Sequence, residues 1–157
     1  MKLDTSSLHK AIGQLEEALE FCEGELARSN VKVAHLFRTA AIQTFEFTYE
    51  LSWKMLKRYL EVSSATPETV DQMAFPDLIR TGSEQGLLLS GWDAWKEFRK
   101  ARGITSHIYD EAKAKEVFAA LPRFRDWVRR KFSVAPFSPP ARRREEKRKA
   151  SDLGACA

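Results

Sequence analysis

Ile42-Gln43-Thr44-Phe45-Glu46-Phe47-Thr48-Tyr49-Glu50-Leu51-Ser52-Trp53-Lys54-Met55-Leu56-Lys57-Arg58-Tyr59-Leu60 is the run that decides the fold. Ile42, Phe45, Tyr49, Trp53, Leu56 and Leu60 recur at intervals of three and four, which places them on one helical face. Leu36, Ala40, Phe47, Leu51 and Met55 widen that face. A cylinder apolar on several sides packs against more than one neighbour or lies at a subunit interface. The pattern predicts one long helix from Val31 to about Glu61 at the centre of the molecule.

Outward from this run the same periodicity recurs. Leu8, Ile12, Leu15, Leu19, Cys22 and Leu26 form one stripe, predicting a helix over 8–26 with Thr5, Ser6 or Ser7 as its cap. Thr66-Pro67-Glu68 opens a short segment, with Pro67 at the first helical position. Pro76 breaks it and starts another that ends near Gly86. Ser90 is placed to cap a helix from about Gly91 to Arg102, closed by Gly103. A last helix is expected from near Ser106, carrying Val117, Phe118, Leu121, Phe124, Val128 and Phe132, with Pro122 kinking or splitting it. No strand alternation or hairpin signal competes. The fold class is all-α: an up-and-down four-helix bundle over residues 1–135, with 67–89 as an elaborated helical crossover.

Composition agrees. The 157 residues suit one domain. Apolar residues at 43% support a core, and 31% charged residues solvate it. No apolar run approaches a membrane span. The start turns polar at once and lacks the apolar core of a secretory signal. Cys22 and Cys156 provide neither a disulfide framework nor a metal quartet, so a reduced, cytoplasmic protein is expected. The net charge of +4 sits mostly in the tail. There Arg142, Arg143, Arg144, Lys147, Arg148 and Lys149 face only Glu145, Glu146 and Asp152. Residues 136–157 are therefore read as a solvated, disordered basic tail.

The standard enzyme signatures are missing: no HExxH, Walker loop, GxGxxG or GxSxG, and no Cys/His metal spacing. No metal and no cofactor are expected. What remains is a polar junction, Arg102-Gly103-Ile104-Thr105-Ser106-His107-Ile108-Tyr109-Asp110-Glu111. Helix-end chemistry accounts for much of it: Arg102 suits a C-terminus, Ser106 an N-cap, Asp110 and Glu111 a first turn. The turn is also short enough for Arg102 and His107 to converge on one spot. A second feature lies on the long helix, where Glu46, Glu50, Lys54, Lys57 and Glu61 form a narrow charged stripe. It reads as a solvated face. Alternatively, a cation from another helix, Arg102 being the choice, relieves the repulsion between Glu46 and Glu50. Trp53, Trp92, Trp95 and Trp127 read as core or interface anchors. His9 and His35 read as surface residues, and Cys22 as a small buried one.

The block Phe45–Lys54, with Arg38, Ala40, Ile42 and Gln43 upstream, resembles the nucleotidyltransferase substrate-binding family of the HEPN superfamily. So does the block formed by Trp92, Trp95 and Arg102–Glu111. The resemblance spans about residues 8–130. It implies a helical bundle, usually homodimeric, that binds a minimal nucleotidyltransferase encoded nearby. The wider superfamily contains metal-independent ribonucleases with an R-x-x-x-x-H active site. Many serve as toxins whose nucleotidyltransferase antitoxin transfers AMP to a tyrosine two places after the histidine. Carried over, the catalytic pair is Arg102 and His107 and the AMP acceptor is Tyr109. From their own positions rather than the resemblance, Glu46 and Glu50 beside Arg102, Ser106 as a cap and Asp110 in a first turn take supporting places. The family usually has a polar residue, commonly Asn, directly after the arginine; here Gly103 stands there, which keeps open a non-catalytic adaptor. The chemistry suits the residues. RNA cleavage by the 2′-OH needs a base, an acid and a cation for the phosphate. His supplies proton transfer near neutrality and Arg a bidentate clamp. One chain offers one of each, so a two-fold dimer would complete the set.

Overall fold

α3 (Val31–Ser63) is the central element of the fold. The structure, a computed structural model, describes residues 3–88 and 90–133. The tail expected over 136–157 lies outside the described residues. α3 starts where the Asn30 side chain accepts hydrogen bonds from the Lys32 and Val33 amides, at 3.0 and 3.2 Å. Around it lie α1 (Ser6–Glu23), α2 (Glu25–Ser29), α4 (Pro67–Asp71), α5 (Phe75–Glu84), α6 (Trp92–Gly103) and α7 (Glu111–Ser133). A 3-10 turn, Thr105–His107, joins α6 to α7. Four of these are long and pack side by side: α1, α3, α6 and α7. α4 and α5 form the crossover. The architecture is all-α, with no strand among the described residues. No described helix is long and apolar enough to cross a membrane.

Local boundaries differ from expectation in three places, each for a physical reason. The first stripe does not run through Leu26 as one helix. Gly24 turns extended at ψ 169° and separates α1 from α2. Leu26 is left 61% exposed while Ala27 is buried. Ser90 does not cap α6. Its hydroxyl accepts the Trp127 indole N–H at 2.6 Å, satisfying a largely buried donor. The last helix begins at Glu111, not near Ser106. Asp110 takes the capping role, its carboxylate accepting from the Ala112 amide at 2.9 Å and more distantly from Lys113. Of the two outcomes expected at Pro122, splitting does not occur: α7 runs as one helix through it. The proline lacks an N–H for the Phe118 carbonyl, yet the flanking Leu121 and Phe124 are fully buried and hold the helix in register.

The core is aromatic at its centre. Phe124 meets Phe45 edge-on at 5.0 Å and Phe98 at 5.1 Å; Trp95 meets Trp127 at 5.0 Å. Each such side chain, fully buried, contributes about 1.5–3 kcal/mol. α1 is drawn onto α3 by Leu8, Leu15 and Leu19, and the Thr48 hydroxyl reaches the Ala11 carbonyl at 3.3 Å. This packing fixes α6 against one side of α3, which sets the site.

Candidate functional site

The Glu46–Glu50 spacing puts two carboxylates on one face of α3, and α6 lays its last turn across them. Arg102 Nη2 stands 2.9 Å from Glu46 Oε1, and its Nε stands 3.3 Å from Glu50 Oε1. The first is a close ion pair. The second is an ionic contact only, because Nε makes no hydrogen bond. Arg102 Nη1 donates to the Thr105 hydroxyl at 3.0 Å, and that hydroxyl donates to the Arg102 carbonyl at 2.9 Å. Glu50 is held in turn by the Trp53 indole N–H at 3.1 Å and faces Lys54 Nζ at 3.9 Å. Arg102 is thus fixed on three sides while 30% of its side chain stays open. The stripe on α3 is not a plain solvated face. Its first half meets α6, and its second half engages the crossover through Lys57, 2.6 Å from Asp71 and 3.5 Å from Glu61.

His107 and Tyr109 project from the 3-10 turn and the bend after it, and both are exposed, Tyr109 by 85%. The Tyr109 hydroxyl lies 3.5 Å from His107 Nδ1, the outer limit of a hydrogen bond, with the rings edge to face at 6.0 Å. No hydrogen bond joins His107 to Arg102 among the described residues. Arg102 belongs to the carboxylate clamp, and His107 pairs with Tyr109. Ser106 is exposed and caps no helix; Asp110 caps α7. Gly103 has open space where a Cβ would stand, and no left-handed backbone.

The turn is anchored by a pair whose partnership is not legible in the sequence, where Glu111 reads only as a first-turn acid. Arg38, on α3, donates two hydrogen bonds to Glu111 at 2.8 and 2.6 Å. Arg38 also donates to His35 Nδ1 at 3.2 Å. The guanidinium holds the Glu111 carboxyl below its usual range, and Lys115 and His35 add to the effect. The pair ties the first turn of α7 to α3 and so determines where 103–110 can lie. Both residues stood in the two blocks that carry the family resemblance, which was the available signal. Beneath the site Tyr49 is buried and its hydroxyl pKa is pushed up to about 12, chiefly by desolvation; Arg99 and Arg102 oppose the rise and Glu50 adds to it. No group of three or more His, Cys, Asp or Glu among the described residues is placed to hold a metal ion.

Comparison with known proteins bears on this geometry. A curated relative from Haemophilus influenzae, described as a probable ribonuclease HepT, is 40% identical over 84 residues. That match covers 54% of this chain and 57% of the relative, so the chain spans little more than half of its length. A solved structure from Haemophilus influenzae is described as revealing the fold of a substrate-binding domain of a nucleotidyltransferase. It superposes with a TM-score of 0.75 at 31% identity, covering 80% of this chain and 93% of that one. The family described as nucleotidyltransferase substrate binding protein like matches residues 3–131, nearly the whole described bundle. With sequence pattern, fold and extent in agreement, the chain belongs to that nucleotidyltransferase substrate-binding family.

Proposed function

We propose that this protein is the partner of a minimal nucleotidyltransferase in a toxin–antitoxin-like pair. Tyr109 accepts AMP from that enzyme. Arg102 and His107, paired across a homodimer, form a metal-independent ribonuclease site that the modification silences. The observation that carries the reading is the exposure of Tyr109 beside His107 on a turn anchored at both ends. A partner's active site must reach an acceptor hydroxyl, and this one stands in solvent. AMP there would add bulk and negative charge beside the position proposed for an RNA phosphate, opposing it by both. His107 moves protons between the 2′-OH and the leaving 5′-oxygen, and Arg102, oriented by Glu46 and Glu50, faces the phosphate.

The test uses the purified chain with its cognate nucleotidyltransferase and ATP. The chain gains one AMP by mass, and Tyr109→Phe gains none. The unmodified protein cleaves RNA to 2′,3′-cyclic phosphate ends in the presence of EDTA. Arg102→Ala and His107→Ala lose activity by about 10²–10⁴-fold while remaining folded. Modification of Tyr109→Phe at full yield would overturn the acceptor assignment. Absence of cleavage by wild type, and by Gly103→Asn, would leave a non-catalytic adaptor that presents substrate to the nucleotidyltransferase. One observation favours that second reading: two carboxylates already neutralise Arg102.

A further inference from the structure

Arg99 lies one turn before Arg102 on α6, so their side chains share a face. Their surroundings differ. Arg102 is held by Glu46 and Glu50, whereas Arg99 has no carboxylate partner among the described residues. It is exposed and lies over the Phe75 ring, its Cζ 5.1 Å from the centroid. Phe75 meets Trp53 edge-on at 5.8 Å and Trp92 at 6.2 Å, and all three rings keep an open part. Lys54 stands 5.7 Å from the Trp53 centroid. The Trp53 indole bonds to Glu50, which is part of the Arg102 clamp. One continuous shelf therefore leads from Arg102 through Glu50 and Trp53 to Phe75 and Arg99.

The shelf adds positive charge that the clamp lacks. Glu46, Glu50, Lys54 and Arg102 balance to zero, so a phosphate gains no net attraction from them. Arg99 makes the patch positive. An unpaired, planar cation held over one aromatic ring beside other partly open rings is how proteins hold single-stranded nucleic acid: the fork takes a phosphate and ring surface takes a base. A protein partner would seek apolar anchors. Apart from Tyr109, which carries the proposed acceptor hydroxyl, the large exposed ones are Phe21, Leu26, Val31, Leu36 and Val62, none of them part of the shelf.

We propose that the Arg99–Phe75–Trp53–Lys54 shelf binds a nucleotide of single-stranded RNA flanking the Arg102 and His107 site, with Arg99 on its phosphate and Trp53 against its base. This rests on the ribonuclease reading for the identity of the ligand, but it is tested without cleavage. The probe is a short fluorescein-labelled single strand, 2′-O-methylated throughout so that it cannot be cut. Its affinity for the full chain is read by anisotropy across a salt series. Arg99→Ala weakens binding about tenfold and lowers the salt slope by about 0.7, the value for one lost contact to a single strand. Arg99→Lys recovers part of the loss, keeping charge without the stacked fork. Arg99→Glu, at an exposed position that does not threaten the fold, binds worse than Arg99→Ala. Arg28→Ala, an equal loss of charge on α2, binds as wild type. The duplex of the same sequence binds more weakly than the single strand.

Wild-type affinity in Arg99→Glu overturns the shelf. So does an equal loss in Arg28→Ala, or equal affinity for the duplex. If Arg99→Glu leaves RNA affinity intact but abolishes capture of the purified nucleotidyltransferase, the surface is a protein interface and the proposal falls. The ribonuclease reading fails separately. Loss of cleavage in Arg102→Ala with normal binding by Arg99→Glu removes the shelf alone. Weak binding by the Arg99 variants with no cleavage by wild type removes the nuclease and keeps the shelf.

Discussion

Burial makes the Tyr49 hydroxyl a much weaker acid in the folded chain. Burial pushes its hydroxyl pKa up to about 12, against about 10 in the unfolded chain. Between those values the folded state keeps a proton that the unfolded state has lost. The stabilisation is therefore complete below pH about 10 and lost as pH rises through about 12, in total on the order of 3 kcal/mol. Tyr49→Phe should unfold in urea as wild type does at pH 7 and resist at pH 11, where wild type weakens. Parallel losses in both proteins would show that another group sets the alkaline limit. Tyr49 reads from the sequence as one more position on an apolar stripe. That its ring is enclosed among Phe45, Phe75, Trp95 and Phe124 depends on three other helices arriving there.

At the scale of the element, Gly82 shows why α5 lies where it does. A Cβ built on it would stand 2.9 and 3.1 Å from the two Leu56 methyls and 3.3 Å from Leu88. Leu56 is fully buried and Leu88 nearly so, leaving both little room to yield. Gly82→Ala gains about 1 kcal/mol of helix propensity and meets an overpacking cost of about 1–3 kcal/mol. The expected net effect is a loss of up to about 2 kcal/mol, read as a lower denaturation midpoint. A rise in stability would mean that α5 slides freely over α3. Pro122 gives the complementary case. Pro122→Ala restores an amide for the Phe118 carbonyl and should raise stability, by no more than the about 3 kcal/mol that separates Pro from Ala in a helix interior. A lower midpoint would show that the proline relieves a packing conflict in α7. The four long helices were legible from periodicity and from Pro, Ser and Gly signals; the short α2 was not. Helix ends were not, because Ser90, Ser106 and Asp110 are all acceptable caps and only tertiary demand chose among them. Trp127 took Ser90, and the Arg38–Glu111 tie left Asp110 at the head of α7.

For the whole molecule the expectation is association. Phe21, Leu26, Val31 and Leu36 are large apolar side chains left substantially exposed at 47, 61, 86 and 66%, which a lone bundle gains nothing by presenting to water. The proposed chemistry also needs two copies of Arg102 and His107. Sedimentation should give a dimer of the 18.0 kDa chain at micromolar concentration. Leu36→Glu, which places a charge among those residues, should shift it towards monomer without unfolding it. A monomer at every concentration would remove the two-fold site, and the adaptor reading would take its place.

The sequence by itself determined the helical fold, the centrality of the 42–60 run and the residues of the candidate site. Periodic burial and the chemistry of single side chains are local properties, written in spacing and type. Only the tertiary structure decided how those residues combine. Arg102 is bound to Glu46 and Glu50 rather than to its neighbour His107, Glu111 answers to Arg38 across 73 positions, and Arg99 is left without a carboxylate partner among the described residues. Each depends on the rotation and register of one helix against another. Those are set by core packing around Phe45, Phe98 and Phe124, and no interval along the chain encodes them.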